Sequence, residues 1–451
     1  MQQITLFDYV LLPFFLAIIY GIAYTRRNRL YSRNHPWRKY YLPGLTLKIF
    51  GAIFIGLVYQ YYYGGGDTFE YFRHAKVVNS SFDESFFKWF NLLLHIPSST
   101  DGEYYHYISQ MQWYSDPASY TVVSITAFIS IFTLNTYLPA TVLFAFISFT
   151  GLWALFRTFA TIFPHLTRPI AIATLFIPSV VVWGSGIFKD TVCMFGLGWL
   201  IYGVFRMMIQ RDFRFSVIII ASLSFLLIAR VKLYILLAFV PALLMWIFFN
   251  YTQKIKNTAQ KLLAKALLTV VVIAGFLFFM QRFSNELGKY SLERVAFSSY
   301  ETRWWLTYVS AMDQGSAYDL GGFSPTISGM LSKFPLAVNV TLFRPYLWEV
   351  NKVIVALSAF EAFIFLFLTL KILFTVGIVK IWKTISSEPT IQFCFVFAII
   401  FAFAVGISSY NFGALSRYKI PCMPFYALGL ILLYYKNKPL SKPLLTFPFK
   451  I

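Results

Sequence analysis

The stretch LTLKIFGAIFIGLVYQYYYGGGDTFEYFRHA, residues 45–75, passes from an apolar run to a cluster of charges. Residues 45–62 approach the length of helix, about 20 residues, that fills a bilayer core. The run gives out through the three tyrosines 61–63 and the three glycines 64–66, and Asp67, Glu70, Arg73 and His74 then fall within eight residues. Similar apolar runs recur along all 451 residues, of which 58% are hydrophobic, 20% aromatic and 12% charged. Soluble domains carry about 25% charged residues. The pattern predicts an all-α, polytopic helical membrane protein, because a β-barrel would show short alternating segments instead.

The net charge of +20 is spread over short loops between apolar runs and is not pooled in a soluble domain. That distribution argues against a nucleic acid partner and for membrane lipids, through anionic headgroups or an anionic lipid substrate. Arg26, Arg27, Arg29, Arg33, Arg38 and Lys39 stand together with no acid, which places their loop in the cytoplasm. Residues 45–62 then run outward, and 63–119 becomes a first long outer loop. Within it FDESFFKWFNLLLHI, residues 82–96, alternates charge and bulk, as a helix lying on the membrane surface does. A second long outer loop is expected over 281–351. The two loops hold seven and six of the 18 acids, and loops this long are usually functional. Apolar runs are read near 6–24, 45–62, 120–134, 138–156, 169–183, 191–205, 215–229, 233–249, 266–280, 353–373, 393–407 and 422–433. The loop charges require one not to cross, and 120–134, short and rich in Ser and Thr, is read as re-entrant or interfacial. About eleven membrane helices result, in a single integral membrane domain over 1–451. The first run lacks the basic flank of a signal peptide and is read as a retained helix.

Five clusters can carry chemistry. A helix starting at Asp67 would put Asp67, Glu70, Tyr71 and His74 on one face. Two readings of Asp67 stand: a general base or divalent-metal ligand, or a helix cap with Glu70 reaching back. Arg73 can pair with a phosphate. In PSVVVWGSGIFKDTV, residues 178–192, Gly184-Ser185-Gly186 interrupts a helix before Lys189 and Asp190. These two are either functional charges beside a membrane segment or an ion pair with Asp190 as cap. In ARVKLY, residues 229–234, Arg230 and Lys232 at an outer turn either grip a lipid phosphate or snorkel to headgroups. In TLFRPYLWEVNKVIVALSAFE, residues 341–361, Arg344 and Glu349 stand at the mouth of a helix. Glu361 lies about three turns inside, where an acid needs a partner or a proton. In SRYKIPCMPF, residues 416–425, Arg417 and Lys419 enter the last helix. Outer-face cations recurring in five segments suggest a pocket for a phosphorylated lipid.

The five histidines are scattered, and Cys193, Cys394 and Cys422 form no CxxC or CxxH pair, so neither a zinc site nor a disulfide framework is expected. There is no GxxxxGK or DxD motif, and no nucleotide cofactor is expected.

GGGDTFEYF (64–72), SDPASYTVVSITAFISIFTLNTYLPATVLFAFISFTGLWALFRTF (115–159), PSVVVWGSGIFKDTV and SRYKIPCMPF together resemble the membrane-embedded glycosyltransferases of the GT-C type. They also resemble the related bacterial polysaccharide polymerases. The resemblance implies a donor sugar on a polyprenyl phosphate or pyrophosphate, a site on the outer face of the bacterial inner membrane, and a role in cell-surface glycan assembly. It assigns an acidic general base to Asp67, with Glu70 second, and lipid-phosphate binding to Arg230, Lys232, Arg344 and Arg417. Two other classes remain open, a flippase or transporter of a lipid-linked glycan and a non-catalytic subunit of a cell-envelope export machine. A transporter should carry polar residues near the membrane midplane, whereas the sequence places its charges at the outer ends, Glu361 excepted.

Overall fold

A computed structural model describes residues 3–312, 316–350 and 352–444; Asp313 and Asn351 lie outside the described residues. Among these residues the chain is helical, apart from one isolated bridge between Ala317 and Asn411. Among the described residues eight helices are long and apolar enough to cross a membrane: Leu6–Leu30, Arg38–Tyr63, Tyr137–Ile162, Lys189–Ile209, Phe215–Thr252, Thr258–Arg282, Val355–Val376 and Pro389–Ser409. The protein is a polytopic helical membrane protein.

Five apolar runs explain why eight such helices stand where about eleven crossings were expected. The 120–134 run forms the 16-residue helix Pro117–Phe132, shorter than the eight. The 169–183 run splits into Thr167–Leu175 and Pro178–Trp183, because Pro178 removes a helix donor and pushes Ile177 out of the helical region. The last run forms the 15-residue helix Met423–Asn437. The 215–229 and 233–249 runs join in Phe215–Thr252, whose one non-helical residue is Lys232 at φ −147°, ψ 76°. The turn expected at ARVKLY is thus a single-residue break. The sequence there offers no Gly, Pro, Asn or Asp with which to build a longer turn.

The chain divides into two compact units, Met1–Phe176 with Val180–Leu233, and Ile177–Ser179 with Tyr234–Ile451. In the first, Tyr137–Ile162 is the hub and packs against Leu6–Leu30, Arg38–Val58, Thr167–Leu175 and Lys189–Val204. A Cβ built on Gly198 would stand 1.9 Å from the Gly151 carbonyl oxygen. Small residues at such a crossing let two membrane helices approach backbone to backbone. Asp8 is buried and serves two helices: it accepts from the Thr5 N–H at 2.9 Å and from the Leu138 N–H at 2.9 Å. Its burial is therefore matched by hydrogen bonds to otherwise orphaned helix-end donors.

In the second unit Pro389–Ser409 is central, packed by Phe334–Phe343, Met423–Asn437, Val295–Met312 and Phe412–Tyr418. Trp246 stacks on Phe393 at 5.1 Å and donates its indole N–H to Thr390 at 3.1 Å. Thr258–Arg282 contributes little to the interior, with 11% of its apolar window buried. Its exposed Leu262, Leu267, Val270 and Phe278 suit contact with lipid tails.

Candidate functional site

The glycines and tyrosines at 59–66 build the exit from a membrane helix. Arg38–Val58 widens into a π turn over Tyr59–Tyr63 and stops at Gly64, φ 70°. Gly66 has φ 130°, and a Cβ there would meet the Tyr59 ring at 2.4 Å, so the turn admits only glycine at that position. Tyr61, Tyr62 and Tyr63 are exposed, as interfacial tyrosines are.

Asp67 is the first residue of the Asp67–Ser80 helix, and Gly66 occupies the cap position. The capping reading of Asp67 is thereby corrected. Glu70 does not reach back either, since it accepts from Arg73 Nε at 3.0 Å and Nη2 at 2.7 Å. Asp67 is half-exposed. Arg73 also donates to the Gln110 carbonyl at 3.2 Å, and its Nη2 lies 3.1 Å from His74 Nε2.

His74 is fully buried, its ring edge-on to Trp113 at 5.4 Å. It buttresses Arg73 and Glu70 and does not face solvent. Burial, then the Arg73 charge, push its pKa down to about 4, with Glu70 opposing. The unfolded chain therefore binds the extra proton between about pH 6.5 and pH 4. Stability is complete above about pH 6.5 and falls by about 2–3 kcal/mol as pH drops through that window. Denaturation of His74→Phe against wild type across the same window checks this, the variant being expected to lose that slope.

Segment 95–116 ties the remaining candidates of the first unit together. His95 stacks on Tyr120 at 4.2 Å, binds the Tyr114 carbonyl at 2.9 Å, and meets Arg230 Nη2 at 3.5 Å. Asp116 caps Pro117–Phe132 by accepting from the Ala118 and Ser119 N–H groups, each at 3.2 Å, and it also binds Lys189 at 3.0 Å. Partial burial pushes the Asp116 carboxyl up, but Ser119, Lys189 and the Ala118 N–H outweigh it and hold the pKa at about 2. Arg73, His74, Lys189 and Arg230, carried by three separate helices, all touch this one segment.

Lys189 and Asp190 are not paired with each other, which corrects the ion-pair reading. Asp190, buried in the first turn of Lys189–Val204, binds Lys232 at 2.5 Å. Lys232 is 8% exposed, so it neither snorkels nor faces a lipid headgroup directly.

In the second unit, Arg344 is held by Glu349 and lies over the rings of Phe412, at 5.3 Å, and Tyr346, at 5.7 Å. Partial burial raises the Glu349 carboxyl, and the Arg344 bonds and the Tyr346 N–H outweigh it and lower it. Arg417 is half-buried on Phe412–Tyr418. Glu361 has a partner, the Ser179 N–H at 2.7 Å.

Three features escaped the sequence reading. Lys48, alone inside an apolar run, is buried and donates to the Gly184 carbonyl, which the Gly-Ser-Gly break leaves free. A charge within a membrane run was the available signal. Asp116 before Pro117 is a helix-start signature. A cavity of about 580 Å³ in the second unit, lined by Tyr300, Arg303, Trp304, Tyr318, Asp319 and Phe323 among others, left no sequence signal beyond its aromatic content. Among the described residues no three His, Cys, Asp or Glu side chains gather as a metal site.

No protein-family model, curated protein or solved structure matches the chain.

Proposed function

We propose that this protein is a glycosyltransferase that takes sugar from a polyprenyl-phosphate- or pyrophosphate-linked donor, at the outer face of the bacterial inner membrane, in cell-surface glycan assembly. The observation that carries the reading is the convergence of Arg73, Lys189 and Arg230 on segment 95–116. Arg73 is joined there to the helix that Asp67 opens beside the end of a membrane span. A lipid phosphate in the bilayer interface and an acceptor hydroxyl in water need that pairing of cations and carboxylate. In the reaction Asp67 takes the proton from the acceptor hydroxyl, whose oxygen bonds to the anomeric carbon. The bond from that carbon to the phosphate oxygen breaks, and the cations hold the departing charge. Attack opposite the leaving group inverts the anomeric centre.

One observation favours a second reading, a flippase of a lipid-linked glycan. Lys48 is buried inside the Arg38–Tyr63 span and Glu361 inside Val355–Val376, so a second charge joins Glu361 within the membrane helices. Deleting the gene and profiling surface glycans, with complementation by wild type and by Asp67→Asn at equal abundance, separates the two. A glycan or sugar restored by wild type alone supports transfer. Restoration by both moves the assignment to the flippase. Unchanged glycans overturn both and leave a scaffold subunit.

A further inference from the structure

Glu361 on Val353–Val376 is 2% exposed, and Ser358, one turn before it, is 5% exposed. One carboxylate oxygen of Glu361 accepts from the Ser179 N–H at 2.7 Å. The other oxygen, the hydroxyls of Ser179 and Ser358, and the Lys419 amine are buried with no hydrogen-bond partner in the protein. Lys419 is 0% exposed, and it lies within electrostatic reach of Glu361. All four residues belong to the second unit.

A carboxylate oxygen and three further unpartnered polar groups do not fit a structural role. A buried polar group with no partner costs about 1–3 kcal/mol, and a charged one more. Evolution removes such groups from apolar interiors unless internal water satisfies them or they carry function. The chemistry of this set is specific. A carboxyl and an amine each exchange a proton, and a hydroxyl both donates and accepts, so serine can relay one. Of the elements packed on Val353–Val376, Phe334–Phe343 carries no charged group, Glu349 is engaged by Arg344, Tyr426 is bonded to Thr369 two turns away along the helix, Phe412–Tyr418 carries Arg417 and Tyr418, and Ile378–Ser387 carries Lys380 and Lys383. Arg417 and Cys422 flank Lys419 on the same turn, and the Cys422 thiol donates to the Lys419 carbonyl at 3.1 Å.

We propose that Glu361 is a proton-binding site of this protein, exchanging its proton through internal water shared with Ser179, Ser358 and Lys419. In the exchange the Lys419 ammonium gives up a proton and the Glu361 carboxylate gains it, which leaves both groups neutral. Neutrality is the form that burial favours. The proposal does not depend on the sugar-transfer reading.

The test is infrared difference spectroscopy on the full chain, purified in detergent and stepped over roughly pH 4 to 10, the span in which carboxyl and amine groups titrate. A protonated-carboxyl band that changes with pH in wild type is expected to vanish in Glu361→Gln, which can keep the oxygen that accepts from Ser179. Lys419→Met, which removes the partner amine, is expected to move the pH at which that band changes. Wild-type and Glu361→Gln spectra that superimpose at every pH would overturn the proposal. Should Glu361→Gln fail to fold, wild type and Lys419→Met decide: a shifted midpoint supports the site, and identical midpoints overturn it.

Discussion

Asp67→Asn is expected to lower sugar transfer by about 10²–10⁴-fold, the usual contribution of a general base. Gly66, not Asp67, holds the cap position of the Asp67–Ser80 helix, so the substitution removes the proposed base without removing a cap. Asparagine keeps the shape of the side chain, and the protein should reach the membrane in normal amount. Glu70→Gln is the informative companion, because Glu70 is bound to Arg73. That change frees the Arg73 guanidinium from its carboxylate. It should act on donor affinity, seen in KM, and less on kcat. Both are measured as transfer from a radiolabelled lipid-linked donor in isolated membranes, with wild type alongside. Full transfer by Asp67→Asn would remove it from the role of base.

The second large effect concerns folding. Lys232→Met alone is expected to destabilise the protein by about 3–5 kcal/mol, the range for a buried ion pair that loses one partner. Asp190 is 0% exposed and Lys232 8%, so the methionine leaves a carboxylate in an apolar interior with its main countercharge gone. The Asp190→Asn, Lys232→Met double variant should recover most of the loss, since neither charge of the pair then remains. Denaturant unfolding of the purified protein in detergent gives both values. Equal losses in the single and double variants would show that the charge itself is not what the fold depends on.

The helical membrane class was legible in the alternation of apolar runs and basic loops, because hydrophobic thickness constrains every crossing in the same way. The turn before Asp67 was legible too, since three consecutive glycines have few other uses. What failed was local pairing. Lys189 and Asp190 are neighbours in sequence, yet they bind Asp116 and Lys232, 73 and 42 residues away. Adjacent residues on a helix point about 100° apart, so sequence neighbours are poor candidates for each other. The enclosure of Lys48 and of Lys419 was hidden for the opposite reason. A long apolar stem lets lysine occur near membrane boundaries, and only the packing reveals that these two are fully enclosed.

The contact of Gly151 with Gly198 bears on how the protein can move. With 1.9 Å between a notional Cβ and a carbonyl oxygen, the backbones of Tyr137–Ile162 and Lys189–Val204 have no clearance for sliding or counter-rotation. Any working cycle carries these two spans as one rigid strut. Displacement then belongs to elements with looser neighbours, and spin labels placed on the two spans would keep one fixed separation through every step of turnover.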